Sequence, residues 1–244
     1  AKAEPDGHTL LIGGAATQVF SPLIYPNVPY DPVTSFSAIG QLSAGPLVLA
    51  VPQASPVQSF ADFADYVRRQ GDKLSYSSNG PGTFPHMAAE LYRGSVNGTF
   101  VHVSYGGGPK AMLALAANEV AFSINHIPNV LPLMKAGKVR VLATTGRTRA
   151  IALPDLPTFA EGGVPGFETS AWFGLFAPAG TPSAVIARLN LLVYEALKSS
   201  DLRDKLAAQG DEPVGGSPEA LAAYVQAELK KWRPVVKMAN VTAQ

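Results

Sequence analysis

The chain has 244 residues, 47% of them hydrophobic and 15% charged, and 19 Lys and Arg against 18 Asp and Glu leave a net charge of +1. That is enough apolar content for a core, and too little charge for a disordered chain or one held to phosphate backbones by charge alone. Without a cysteine, disulfides, thiol nucleophiles and Cys-based metal sites are excluded.

No run of about 18 apolar residues exists to span a bilayer. The chain opens on Ala1 without a charged-then-apolar leader, so a mature, processed or truncated product is expected. Residues 9–13 (TLLIG) and 47–51 (LVLAV) read as buried strands, the second stopped by Pro52. Ser59 caps a helix whose Phe60, Phe63, Ala64 and Val67 share one face, and Gly71 ends it. Strands at 74–78, 100–103, 120–124 and 139–145 alternate with helices at 85–93, 109–118 and 128–136, with Gly94 and Gly137 as helix stops. Residues 153–167 are rich in Pro and Gly and read as a connection. A last strand at 171–177 (AWFGLFA) places Trp172 and Phe173 in the core.

Three helices finish the chain. The first starts at the cap pair Thr181 and Pro182 and buries Val185, Ile186, Leu189, Leu192 and Val193. The second runs from Ser200 to Gly210, and the third from Ser217 and Pro218 through Trp232. Strands alternating with helices predict an α/β fold of mostly parallel sheets covered on both faces.

Three glycine-rich loops stand out, at 77–86 (SSNGPGTFPH), 105–109 (YGGGP) and 13–17 (GGAAT). At each predicted strand-to-helix junction, unpaired N–H groups and the helix dipole bind anions without Lys or Arg. Glycine lets the backbone approach a ligand closely, and such loops converge on one crevice in open α/β sheets. That chemistry suits a carboxylate. Any one of the loops is also explained by the needs of a tight turn. Neither G-x-G-x-x-G nor Gly-Lys-Ser/Thr spacing is present, so nucleotide binding has little support.

Signals for catalysis are sparse. Of His8, His86, His102 and His126, His86 is near enough to Ser78 for a nucleophile–base pair. No G-x-S-x-G elbow accompanies them, and no carboxylate is placed to orient the imidazole. No metal-ligand spacing such as H-E-x-x-H occurs. His102 reads as a core or rim histidine in an apolar strand. Asn125, at a strand end, either orients a ligand or caps the next helix.

Seven stretches in order then carry a family resemblance. They are PDGHTLLIG (5–13), YDPVTSFSAIGQL (30–42), LSYSSNGPGTFPHMAAELY (74–92), VHVSYGGGPKAM (101–112), LPLMKAGKVRVLATT (131–145), LPDLPTFAEGGVPGFETSAWFGLFAPAGTP (153–182) and EPVGGSPEALAAYVQAELKKW (212–232). The chain resembles the solute receptors of tripartite tricarboxylate transporters, the Bug-type extracytoplasmic binding proteins. The resemblance implies a two-lobed, Venus-flytrap periplasmic receptor with no catalytic activity, cofactor or metal. It would hold a small carboxylate and deliver it to membrane permease subunits. The first lobe would comprise 1–43 and 169–244, the second 44–168, with hinge crossings near 44–46 and 169–171. Ligand contacts are implied at Ala15, Ala16 and Thr17 from the first lobe. From the second they are implied at Ser78, Asn79, Gly82, Thr83, His86, Tyr105, Gly106 and Asn125.

Two departures follow from the same resemblance. Family members carry a further strand, ligand loop, helix and strand before the PDG stretch, so the first lobe is expected to be incomplete. Its exposed sheet edge then invites self-association. Many members also have Asp where this chain has Asn125, and a neutral side chain leans towards plain carboxylic acids over ligands bearing an amino group. A sensory module of the same fold and a Ser78–His86 hydrolase are the alternatives; no nucleic-acid partner is expected.

Overall fold

The computed structural model describes residues 1–70 and 73–241. By its internal contacts the chain divides into a first unit, Ala1–Ala44 with Ala171–Gln244, and a second, Gly45–Ser170. The first unit opens with β1 (Leu11–Gly14), then a π-helical turn (Ala16–Phe20) running into α1 (Ser21–Ile24). A long strand, β2 (Phe36–Pro52), passes from the first unit into the second. There follow α2 (Phe60–Gln70), β3 (Leu74–Ser78), α3 (Phe84–Ser95), β4 (Phe100–Ser104), α4 (Gly108–Ala116), β5 (Phe122–His126), α5 (Ile127–Lys135) and β6 (Val139–Thr144). The chain returns through β7 (Ser170–Pro178) to α6 (Ser183–Ala196), α7 (Ser200–Ala208), β8 (Glu212–Gly215) and α8 (Pro218–Ala239). The fold is α/β.

The two halves of β2 serve different ladders. Up to Ala44 it pairs with β8 and neighbours β7, in the order β1-β7-β2-β8. From Leu47 it lies between β6 and β5, in the order β6-β2-β5-β3-β4. Proline cannot donate to a ladder, and Pro46 sits where one ladder has ended and the next has not begun. The apolar run at 47–51 is therefore only the second half of the strand.

The expectation of mostly parallel sheets is corrected to a mixed arrangement. β3 pairs parallel with β4 and β5, whereas β1·β7, β2·β5, β2·β6 and β2·β8 are antiparallel. β5 and β6, joined by α5, do run parallel to each other, as a βαβ connection requires. The incoming β2 is inserted between them, and that turns both pairings antiparallel.

Several local expectations resolve in physical terms. Ser59 Oγ accepts from Asp62 N (3.1 Å) while Asp62 Oδ2 accepts from Ser59 N (2.9 Å), a reciprocal cap for α2. The Gly71 stop lies outside the described residues. α3 runs through Gly94, and Asn97 takes the left-handed turn (φ 48°) instead. Thr181 does not cap α6: its hydroxyl donates to Pro178 O (2.8 Å), and Pro182 is the N-cap. Ser217 does cap α8, accepting from Ala220 N. On α6, Ile186 and Val193 are buried, but Leu192 is 48% exposed, so the buried face is narrower than the apolar pattern. Strand alternation splits the β7 aromatics, with Trp172 buried and Phe173 45% exposed.

Each unit has its own core. In the second, Val48, Met112, Leu115, Ile127, Val130 and Val141 pack together. An aromatic cluster of Phe60, Phe63, Tyr92, Phe122 and Phe159 lies beside α2 and α3, with ring centroids 4.7–6.5 Å apart. In the first, Ile39, Ala177, Ile186, Val193 and Leu197 form a cluster. The buried carboxylate of Glu228 accepts from both indoles, Trp232 Nε1 at 2.9 Å and Trp172 Nε1 at 3.3 Å.

Candidate functional site

Three neighbouring strands of the second unit, β5, β3 and β4, run parallel, and each leads into a helix: β3 into α3, β4 into α4, β5 into α5. Parallel strands deliver their helix starts to the same edge of the sheet. None of these three starts has a side-chain cap, and each carries a proline in its first turn (Pro85, Pro109 and Pro128). Uncapped N–H groups at adjacent helix starts form a surface of hydrogen-bond donors with favourable dipoles.

The loop between β3 and α3 is tied down from within. Ser78 is fully buried, and its Oγ accepts from Gly80 N (3.1 Å) and lies 2.6 Å from His102 Nε2. Thr83 Oγ1 donates to Gly80 O (2.7 Å). Gly82 takes a left-handed φ of 69°, and its N–H donates to His86 Nδ1 (3.0 Å), so neutral His86 carries its proton on Nε2. The His86 and His102 rings stack with centroids 3.9 Å apart. Burial, with smaller contributions from His102 and Arg93, pushes His86 down to about 3, and burial lowers His102 as well. Both rings are therefore neutral at pH 7. The Ser78–His86 pair of the alternative hydrolase reading is not formed: the serine hydroxyl meets His102, and His86 braces the glycine loop.

A chain of carboxamides links the loops. Asn125 is fully buried, and its Oδ1 accepts from His126 N (2.9 Å) and from Asn129 Nδ2 (3.0 Å). Its Nδ2 donates to Asn79 Oδ1 (2.9 Å). Asn129 in turn lies against Gly108, where an added Cβ would come 2.1 Å from Nδ2. Asn79, Gly108 and Asn125 belong to the three different junctions, so this network holds all three in register. Tyr105 N donates to Ser78 O (3.2 Å), whereas its hydroxyl reaches Glu119 Oε2 (3.0 Å) beyond the far end of α4. Beside it, Gly106 has φ 60° and open space where a Cβ would point.

In the first unit, buried Ala15 and exposed Ala16 and Thr17 lead from β1 into the π-helical turn. Thr17 Oγ1 accepts from Gly14 N (3.1 Å), and Thr17 O accepts from Tyr30 OH (2.6 Å). Next to them Gln18 is fully buried with both amide atoms unpartnered, and it lines a cavity of about 360 Å³ with Tyr30, Phe36 and Phe176. Gly13 makes room for that amide, since a Cβ there would lie 2.7 Å from Nε2.

Of the residues implied by the sequence, the structure gathers Ser78, Asn79, Gly82, Thr83, His86, Gly106 and Asn125 around one sheet edge, with Tyr105 joining through its backbone. Ala15, Ala16 and Thr17 sit in the other unit. The sequence reading missed Asn129 and Gln18, and it placed His102 at the core or rim without its contact to Ser78. Asn129 was the findable one, since it stands four residues after Asn125 in the first turn of α5. Among the described residues no cluster of three or more His, Asp or Glu could hold a metal ion, and no helix is long and apolar enough to cross a membrane.

Residues 1–241 match the family described as "Tripartite tricarboxylate transporter family receptor". The chain is similar to an R. palustris protein, Rpa4515, solved with adipate, at 36% identity and a TM-score of 0.85, covering 99% of this chain and 81% of that one. It is also similar to MatC from Rhodopseudomonas palustris with bound malate, at 33% identity and a TM-score of 0.80 over 96% of this chain and 81% of that one. The periplasmic binding protein BugD is 30% identical with a TM-score of 0.82, over 100% of this chain and 82% of that one.

Proposed function

The chain belongs to the tripartite tricarboxylate transporter receptor family, which comprises periplasmic solute-binding receptors and not enzymes, and from that premise we propose that it captures a small dicarboxylate through the loops of its second unit. One observation carries this reading: three uncapped helix starts at one sheet edge are joined by neutral amides, with no Lys or Arg in the network. Such a surface offers backbone donors to an anion, and the amides that join it are themselves uncharged. The ligands of two similar proteins, adipate and malate, are of the expected chemical class.

In this reading Asn79, Gly82, Thr83 and Gly106 face the ligand, and buried Asn125 orients Asn79 behind them. Ser78, His86 and Tyr105 hold the loops that present them. The two units act as lobes, and the loaded receptor hands its ligand to the permease subunits of a tripartite transporter. We also propose that the chain self-associates along β1, which among the described strands pairs only with β7 and leaves Ile12 64% exposed. Light scattering that gives a monomer at every concentration contradicts that last point.

Isothermal titration with adipate, malate and the neutral diamide of adipate tests the capture reading. A saturable one-to-one heat with at least one dicarboxylate and none with the diamide supports it. Silence with every carboxylate overturns it.

A further inference from the structure

We infer that Asn125 and Asn129 are positioning residues that lock the side chain of Asn79 with its amino group outward, so that the site favours a carboxylate and disfavours an ammonium group; this rests on the capture reading above. A carboxamide can face either way, since its oxygen and nitrogen are nearly the same size and differ only in accepting or donating. One bond removes that freedom. The backbone N–H of His126 can only donate, and it lies 2.9 Å from Asn125 Oδ1. That oxygen is therefore the acceptor, and Asn129 has to present Nδ2 to it, at 3.0 Å.

The order now passes along the chain. With Oδ1 occupied by two donors, Asn125 directs Nδ2 to Asn79, whose Oδ1 accepts at 2.9 Å. Asn79, half-buried at the rim, is left with its own Nδ2 pointing away from the relay. Asn125 is fully buried, so reversing it would strand a backbone donor and break two further bonds without water to replace them. Gly108 is part of the same device, because any side chain there would displace Asn129. The neighbouring histidines do not counter the polarity: His86 and His102 are neutral, with His86 Nδ1 and the Ser78 hydroxyl already engaged.

A polarity relay has a specific signature. In Asn125→Asp, one carboxylate oxygen still accepts from His126 N and Asn129 Nδ2, but the other has no proton to give. Asn79 then turns to donate its Nδ2 inward and shows Oδ1 to the ligand. The probes are adipate and 6-aminohexanoate, which differ in one end group. The wild-type chain is expected to prefer adipate, and Asn125→Asp to move the ratio of affinities towards 6-aminohexanoate by about tenfold or more, the worth of a hydrogen bond to a charged group.

The added charge alone would also move that ratio, so the deciding arm is a double-mutant cycle with Asn79→Leu. If the effect travels through Asn79, most of the shift disappears in the Asn79→Leu background. An undiminished shift there overturns the inference while leaving the capture reading intact. A wild-type chain that binds no carboxylate sinks the capture reading instead. The relay is then judged, as it is if Asn125→Asp does not fold, by proton exchange of the carboxamides in the wild-type chain. The Asn125 proton facing Asn79 is expected to exchange slowly and the Asn79 protons fast; the reverse order overturns the relay.

Discussion

Replacing Glu228 with leucine removes the acceptor that both tryptophans share. The carboxylate is 5% exposed, and Trp172 and Trp232 are 1% and 0% exposed, so no solvent stands ready to take its place. Leucine fills most of the volume, and the loss is mainly that of two buried N–H donors deprived of this oxygen. Each such donor costs about 1–3 kcal/mol. Part of that is offset, because a buried carboxylate is itself expensive to desolvate. The net expectation is about 2–4 kcal/mol of destabilisation, with Glu228→Gln, which keeps a carbonyl acceptor, costing about 1 kcal/mol. Urea unfolding followed by tryptophan fluorescence measures this directly, since the chain's two tryptophans both belong to the first unit. At a slope of about 1–3 kcal/mol per molar urea, the Glu228→Leu midpoint falls by about 1–2 M. An unchanged or higher midpoint would refute the reasoning and show that the ion's desolvation outweighs its bonds to the two indoles and its 3.5 Å contact with Lys231.

Acid should weaken the second unit through its stacked histidines. Their folded-state values lie below the ordinary 6.5, so as pH falls the unfolded chain takes up protons first, and stability present above 6.5 is lost towards about 3, the value for His86. His86→Gln is expected to flatten that slope, and chemical unfolding across the window contradicts the idea if wild type and variant run parallel. Gly108→Ala should separate binding from stability. Better helix propensity, worth up to about 1 kcal/mol, offsets the displaced Asn129 bond, while adipate affinity falls several-fold by titration. Ser217→Ala removes the side-chain cap of α8 and should cost about 1 kcal/mol in thermal unfolding, with ligand affinity untouched.

The α/β alternation and most helix starts were legible because they depend on short-range physics. Ser59 and Ser217 are next to the donors they cap, and the apolar periodicity of α2 needs no partner to be seen. What escaped depends on pairing across long separations. β2 extends back to Phe36 only because β7 and β8, from the other end of the chain, supply its ladder; residues 36–46, with Gly40, Gly45 and Pro46, carry no strand signal of their own. The same insertion turned an expected parallel sheet into a mixed one. At the site, the glycine loops announced themselves by composition, but partner choice did not. His86 is nearer to Ser78 in sequence, yet His102 reaches it because β3 and β4 are in register, with Ser78 opposite Ser104 and Tyr76 opposite His102. The direction of the Asn125 amide was equally invisible, because it is set by a backbone N–H and by a side chain one helical turn on.

The most direct test of the receptor account is an amide NMR titration of the chain with adipate. Saturable shifts concentrated at the backbone amides of Asn79, Gly82 and Gly106 and at the Asn125 carboxamide are the expected result. No shifts at ligand saturation, or shifts gathered instead around Arg233 and Lys237, which line a separate hollow at the end of α8, would contradict it.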